Sequence, residues 1–203
     1  MNNDRIGKET IMEEKLNKLY SECIEELKSI GIDILDSRQV GKIDISISNR
    51  NNKRYGCCKN EEPDIRTKYI EKIKNKKIIK YSKFNRHYIE ISPWVLELHD
   101  DIIKNTIIHE IIHCFPNCNN HGKEFKEYAQ YINKKLGYNI SRVGNKKEDY
   151  IKSNIEYNES EKYNYYIKCM KCGQSFYRKR INRNFTKIYK CGKCGSKFEV
   201  EKL

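Results

Sequence analysis

Met12, Leu16, Leu19, Tyr20, Cys23, Leu27 and Ile30 recur at the three- and four-residue steps that line one face of an α-helix, and the run stops at Gly31. The pattern predicts an amphipathic helix over residues 9–30. The period then changes. IDISIS (43–48) alternates apolar and polar positions, and KRYGCC (53–58) and HYIEIS (87–92) are similarly short and rich in β-formers, so three strands are expected. Ser92-Pro93 reads as an N-cap followed by proline at the first helical position. From Asp101 to about Phe115 a mostly buried helix is expected, with Ile103, Ile107, Ile111 and Phe115 along one side and Ile108 and Ile112 flanking them. A further helix begins near His121 or Gly122, buries Phe125, Tyr128, Ala129, Ile132 and Leu136, and ends at Gly137. Beyond residue 141 the chain turns polar and irregular as far as 164, the signature of a linker.

With 203 residues the chain has room for one medium domain and one small one, enough to bury a core without disulfides. Hydrophobic residues make up 37% and fall in patterned windows, so the 34% charged content does not imply disorder. The opening MNNDRIGKETIMEEKL has no apolar signal core, and no stretch approaches the roughly 18 apolar residues of a membrane span. No membrane partner and a cytoplasmic location are therefore expected. Nine cysteines, four of them in two CxxC pairs, then point to metal rather than to a disulfide framework. A net charge of +13 suits an acidic partner, but the richness in Lys, Asn, Ile and Tyr also follows from an AT-rich genome, so position matters more than the total. Residues 1–50 carry −2, 51–100 carry +5, 101–150 carry +2 and 151–203 carry +8, which puts the excess towards the C-terminal end.

The segment HEIIHCFPNCNNHGKEF (109–125) holds three of the five histidines. His109 and His113 stand one helical turn apart and project from the same face, so both imidazoles can reach one ion. Glu110 points to the side of that pair, where a carboxylate can handle the proton of a zinc-bound water. Two ligands do not hold a catalytic zinc, and a third must come from elsewhere. Pro116 and the Asn-rich stretch break the helix and let His121 turn back, while Cys118 in the same turn competes for the role. A thiolate would weaken the metal as a Lewis acid, which favours His121. HExxH also arises by chance in helices, but His, Glu and His left uncompensated in so apolar a helix would be costly to bury. The glutamate further separates this pattern from metal-dependent RNases with similarly spaced histidines, and favours peptide hydrolysis.

On these residues the chain resembles the SprT-like (Spartan-type) zinc metalloproteases, which carry HExxH on a helix, a later His-Gly bearing the third ligand, and an apolar residue a few positions on. RYGCC is similar to the family's Gly-x-Cys strand, and YIEISPWVLE to its strand followed by a short helix, so the likeness covers most of residues 10–140. Tyr55, where a small residue is usual, Cys114, where alanine is common, and a basic insertion from about 63 to 86 depart from the pattern. The resemblance implies an α+β zincin-like protease domain over residues 1–145: helix, small sheet, HExxH helix and a further helix. It also implies a catalytic Zn²⁺ at His109, His113 and His121 with Glu110 as general base, and protein substrates bound to or crosslinked to DNA. The insertion reads either as a hairpin extension near the site or as a basic contact surface.

After the linker at 146–164, residues 165–203 give Cys169-x2-Cys172, eighteen residues, then Cys191-x2-Cys194, the pattern of a small β zinc ribbon whose four thiolates close the sphere of a structural zinc. Residues 162–203 hold twelve Lys or Arg and two Glu. Phe176, Tyr177, Phe185 and Tyr189 interleave with Arg178, Lys179, Arg180, Arg183 and Lys187. Phosphate contacts and base stacking from such a mixture suit single-stranded or distorted DNA. The same aromatics also serve as a ribbon's small core, with the charges as its solvated face. Two functions therefore follow: a zinc endopeptidase acting on DNA-associated proteins, and a non-catalytic, transcription-associated nucleic-acid-binding protein.

Overall fold

Helix α1 (Asn2–Ser29) buries Leu16, Leu19, Cys23 and Leu27, the stripe expected from the apolar spacing, and begins earlier than residue 9. The computed structural model describes residues 2–36, 40–49, 53–73, 76–157 and 163–203, in two compact units, Met1–Tyr157 and Asn158–Leu203. The fold is α+β.

In the first unit α1 packs against a three-stranded sheet and against α2 (Asp100–Ile112). Strand β5 (Phe84–Ile91) is central, with β1 (Lys42–Ile47) parallel on one side and β2 (Gly56–Pro63) antiparallel on the other. His87, Ile89 and Ile91 of β5 are buried, whereas Arg86 and Glu90 turn outwards to pair with Asp44 and Lys59, the two-residue alternation of a half-buried strand. Lys104 of α2 bridges Glu22 (2.7 Å) and Glu26 (2.8 Å) of α1, which fixes the two helices against each other. Helix α3 (Lys123–Leu136) buries Phe125, Ala129 and Ile132 and ends at Gly137.

The basic insertion is a hairpin, β3 (Lys68–Ile73) paired with β4 (Lys76–Tyr81), with Ile70 opposite Ile79. Its base is tied to the chain that follows α2. Asn117 N–H donates to the Ser82 carbonyl at 3.0 Å, and Asn119 Nδ2 to the Tyr81 carbonyl at 3.4 Å.

Ser92 is the N-cap of the short 3-10 helix Pro93–Glu97, with proline following it as expected, and its hydroxyl donates to the Arg54 carbonyl at 2.6 Å rather than capping the helix. Two expectations need correction. The HExxH helix stops at Ile112 rather than near Phe115, because the chain turns before Pro116 and takes a left-handed conformation at Asn117. The span 146–164 is not all linker: α4 (Lys146–Lys152) folds onto the first unit, which runs to Tyr157. Tyr150 stacks on Trp94 at 5.9 Å, Lys146 Nζ sits 3.9 Å from the Trp94 ring centroid, Tyr55 donates its hydroxyl proton to Asp149, and Ser153 Oγ accepts from His99 N–H at 2.8 Å. A seven-residue helix held by an aromatic stack shows no apolar period along the chain. Residues 158–162 of the expected linker lie outside the described residues.

In the second unit β6 (Tyr165–Cys169) is flanked antiparallel by β7 (Ser175–Arg178) and β8 (Phe198–Lys202), with the short α5 (Phe185–Ile188) between the latter two in sequence. Among the described residues no helix is long and apolar enough to cross a membrane.

Candidate metal centre

His109 projects from the last turn of α2, and His113 from the residue that caps it, still in helical conformation, so the four-residue step survives the helix end. The turn over Pro116 then returns the chain, and His121 Nε2 comes to 2.9 Å from His109 Nε2. Each of the three imidazoles offers a nitrogen within 4.8 Å of the others. Phe125, in the first turn of α3, lies against all three rings with centroids 4.7–4.9 Å away and braces them from one side.

The rings are also oriented. His113 Nδ1 sits 2.6 Å from the Cys118 carbonyl, which can only accept, so Nδ1 carries the proton and Nε2 keeps its lone pair. His109 has a backbone hydrogen bond at Ser141. Burial pushes His109 down to about 4, with His113 and His121 adding to the shift, and burial lowers His113 and His121 as well. Three neutral imidazoles with free lone pairs are the donor set that a divalent transition metal takes.

Glu110 is buried on the flank of this group. Burial raises its carboxyl to about 8, against the pull of Arg54 and of a backbone hydrogen bond from Cys58. The β2 backbone presses on it: a Cβ at Gly56 would lie 3.0 Å from both Cγ and Oε1 of Glu110, a tight contact that would oblige the carboxyl to shift by a few tenths of an ångström. A cation beside the carboxyl would favour its charged form and bring the pKa down again. The site opens on a cleft of about 1050 Å³ lined by Tyr55, Gly56, Asn60, Thr106 and Arg142 besides the histidines and Glu110.

Cys118 does not join the cluster with its side chain. Its thiol is buried and pushed up to about 12 by that burial, and its part in the site is played by its carbonyl. The close approach of the Gly56 backbone to Glu110 and the parts played by the Ser141 backbone and the Cys118 carbonyl escaped the sequence reading, since a backbone group carries no residue-specific signal.

In the second unit Cys169, Cys172, Cys191 and Cys194 bring their sulfurs within 4.8 Å of one another, with Cys169–Cys194 at 3.4 Å and Cys172–Cys191 at 3.5 Å. A backbone N–H at Ser196 and the neighbouring Cys169 pull the Cys194 thiol down to about 6. Arg178, Lys179, Arg180, Arg183 and Lys187 are all exposed. The interleaved aromatics divide. Phe176 and Phe185 pack on Phe198 at 5.5 and 5.9 Å, while Tyr177 and Tyr189 each remain 52% exposed.

The family model described as SprT-like matches residues 20–144, more than half of the chain. The chain belongs to the SprT-like family. The match takes in the sheet, α2, α3 and all three converging histidines, and ends before the second unit of this SprT-like protein. Among curated proteins none matches it.

Proposed function

We propose that this SprT-like protein is a cytoplasmic zinc endopeptidase acting on proteins bound to, or crosslinked to, DNA, and that its second unit is a zinc ribbon contacting single-stranded or distorted DNA. The observation that carries the reading is the convergence of His109, His113 and His121 beside the buried carboxyl of Glu110 at an open cleft. A zinc ion held by these imidazoles would act as a Lewis acid on water and on a scissile carbonyl. The remaining work falls to the chain. The Cys118 carbonyl holds His113 in one tautomer, and Phe125 keeps the three rings together. Glu110 accepts the proton of the attacking water at a carboxylate oxygen and returns it to the leaving amine nitrogen, so the peptide C–N bond breaks without releasing a free amide anion. In the ribbon the four thiolates would close the coordination sphere, leaving a structural role for that metal.

The proposed DNA partner rests on charge and exposure: basic side chains stand in solvent beside Tyr177 and Tyr189. A protease gains selectivity when it is confined to a DNA-bound population of substrates. The test is cleavage of a DNA-binding protein by the wild type and by Glu110→Gln, with and without single-stranded DNA, over a range of salt. Expected are cleavage by the wild type only, stimulation by DNA, and decline with salt. Proteolysis retained in Glu110→Gln would remove the peptidase mechanism, and indifference to DNA and salt would remove the nucleic acid.

A further inference from the structure

His87 stands on the inner face of β5, in line with Ile89 and Ile91, and is completely buried. A charged or half-bonded imidazole is out of place on that face, and what surrounds it is polar in a particular way. Asn60 is its cross-strand partner on β2, and Cys58, two residues back along β2, shares the same face. Cys114, next to His113 in the turn that leaves α2, brings a third donor from the opposite layer. Cys58 Sγ and Cys114 Sγ are 3.6 Å apart, and both sulfurs and a ring nitrogen of His87 lie within 4.8 Å of one another.

Asn60 fixes the protonation state of the ring. Its Nδ2 donates to Asn119 Oδ1 at 2.8 Å and to the His113 carbonyl at 3.4 Å, so Oδ1 is the acceptor facing the cluster, 2.8 Å from His87 Nδ1 and 3.2 Å from Cys58 Sγ. His87 Nδ1 therefore carries the proton and Nε2 a lone pair, for which the described residues offer no partner at bonding distance. Burial keeps the ring neutral, lowering it to about 4, and the backbone at Phe84 offsets this only in part. A buried acceptor without a donor is costly unless something fills the place.

We propose that Cys58, His87 and Cys114 form a further zinc site, structural and separate from the three-histidine and four-cysteine groups. The spacing fits. Two thiolates on a tetrahedral zinc at about 2.3 Å stand roughly 3.8 Å apart, and the 3.6 Å here matches the 3.4 and 3.5 Å of the four-cysteine group. Both thiols are free, and their separation is far beyond a disulfide bond of about 2.05 Å. Binding releases one proton from each thiol, and two thiolates balance the 2+ charge, so a neutral centre is buried rather than an ion. Asn60 Oδ1, accepting from Nδ1, holds the ring from the side away from Nε2, and the near-complete burial of His87 and Cys114, with Cys58 half-buried, suits a structural ion. The site fastens β2 and β5 to the turn after α2. Through Asn60 it also reaches the His113 carbonyl and Asn119, on the path to His121.

The full-length protein, purified without air and dialysed against zinc, is expected to hold about three equivalents, where the two other groups alone account for two. Substitution with ¹¹³Cd should give separate resonances for four-thiolate, two-thiolate and all-imidazole environments. Cys58→Ser and Cys114→Ala should each remove the two-thiolate signal alone and lower the zinc count by one. Two equivalents and no two-thiolate resonance in the wild type would overturn the site without recourse to any variant, as would a Cys58–Cys114 disulfide in the air-free protein. Loss of the all-imidazole signal with the two-thiolate signal kept would instead count against the three-histidine centre, so the two failures are distinguishable.

Discussion

The Cys118 carbonyl oxygen lies 2.6 Å from Nδ1 of His113, across the break that ends the HExxH helix. The residue that rivals His121 for the third place in the cluster thus orients the second histidine, through a backbone atom that any side chain at 118 would retain. His121→Ala should therefore abolish metal binding at the three-histidine group, while Cys118→Ala should keep it at a stability cost of about 1 kcal/mol for the missing buried sulfur. Zinc content per chain and a urea titration of both variants check this. Equal loss of metal in the two would return Cys118 to the ligand set.

Gly56 and Glu110 set a second constraint. A methyl group at position 56 would meet the Glu110 side chain at 3.0 Å and the Glu90 carbonyl at 3.1 Å, one of them backbone that cannot swing aside. Gly56→Ala should destabilise the first unit by about 1–3 kcal/mol through overpacking. By displacing the carboxyl it should also lower turnover at least ~10-fold with metal still bound. Thermal unfolding and single-turnover hydrolysis measure the two effects, and unchanged turnover would mean that Glu110 is not held by β2.

The aromatics of the second unit separate by burial, which yields opposite expectations for neighbouring residues. Tyr177→Ala should weaken single-stranded DNA binding by about 1–3 kcal/mol and leave the module folded. Phe176→Ala should unfold it by removing the packing on Phe198. Changing Arg178, Lys179 or Arg180 to Ala should lower the salt dependence of binding by about one unit of log–log slope for each phosphate no longer neutralised. Fluorescence anisotropy at several salt concentrations, beside circular dichroism, is the measurement, and an unchanged slope would make these charges a solvated face only.

Cys23 is fully buried where α1 meets α2, and burial, reinforced by Glu26, pushes its thiol from 9.0 up to about 12. Above pH 9 the unfolded chain releases this proton while the folded chain retains it, so the thiol's contribution to stability falls as pH rises from about 9 towards about 12, by at most ~1.4 kcal/mol per unit. Cys23→Ala should flatten that part of the alkaline decline, although it lowers stability near neutrality. Urea midpoints of both proteins across this range decide the matter, and parallel slopes would show that the thiol ionises while folded.

Several features were legible in the chain because they depend on spacing within one element. The stripe of α1 follows from the 3.6-residue period, the pairing of His109 with His113 from one helical turn, and the two cysteine pairs of the second unit from their short, repeated separation. These relations hold wherever the element is placed. What only the tertiary structure decided are the meetings between elements: Cys118's carbonyl rather than its thiol at His113, Gly56 against Glu110, Tyr150 on Trp94, and the gathering of Cys58, His87 and Cys114 from two strands and a turn. Long-range packing fixes these meetings, and no local period records it.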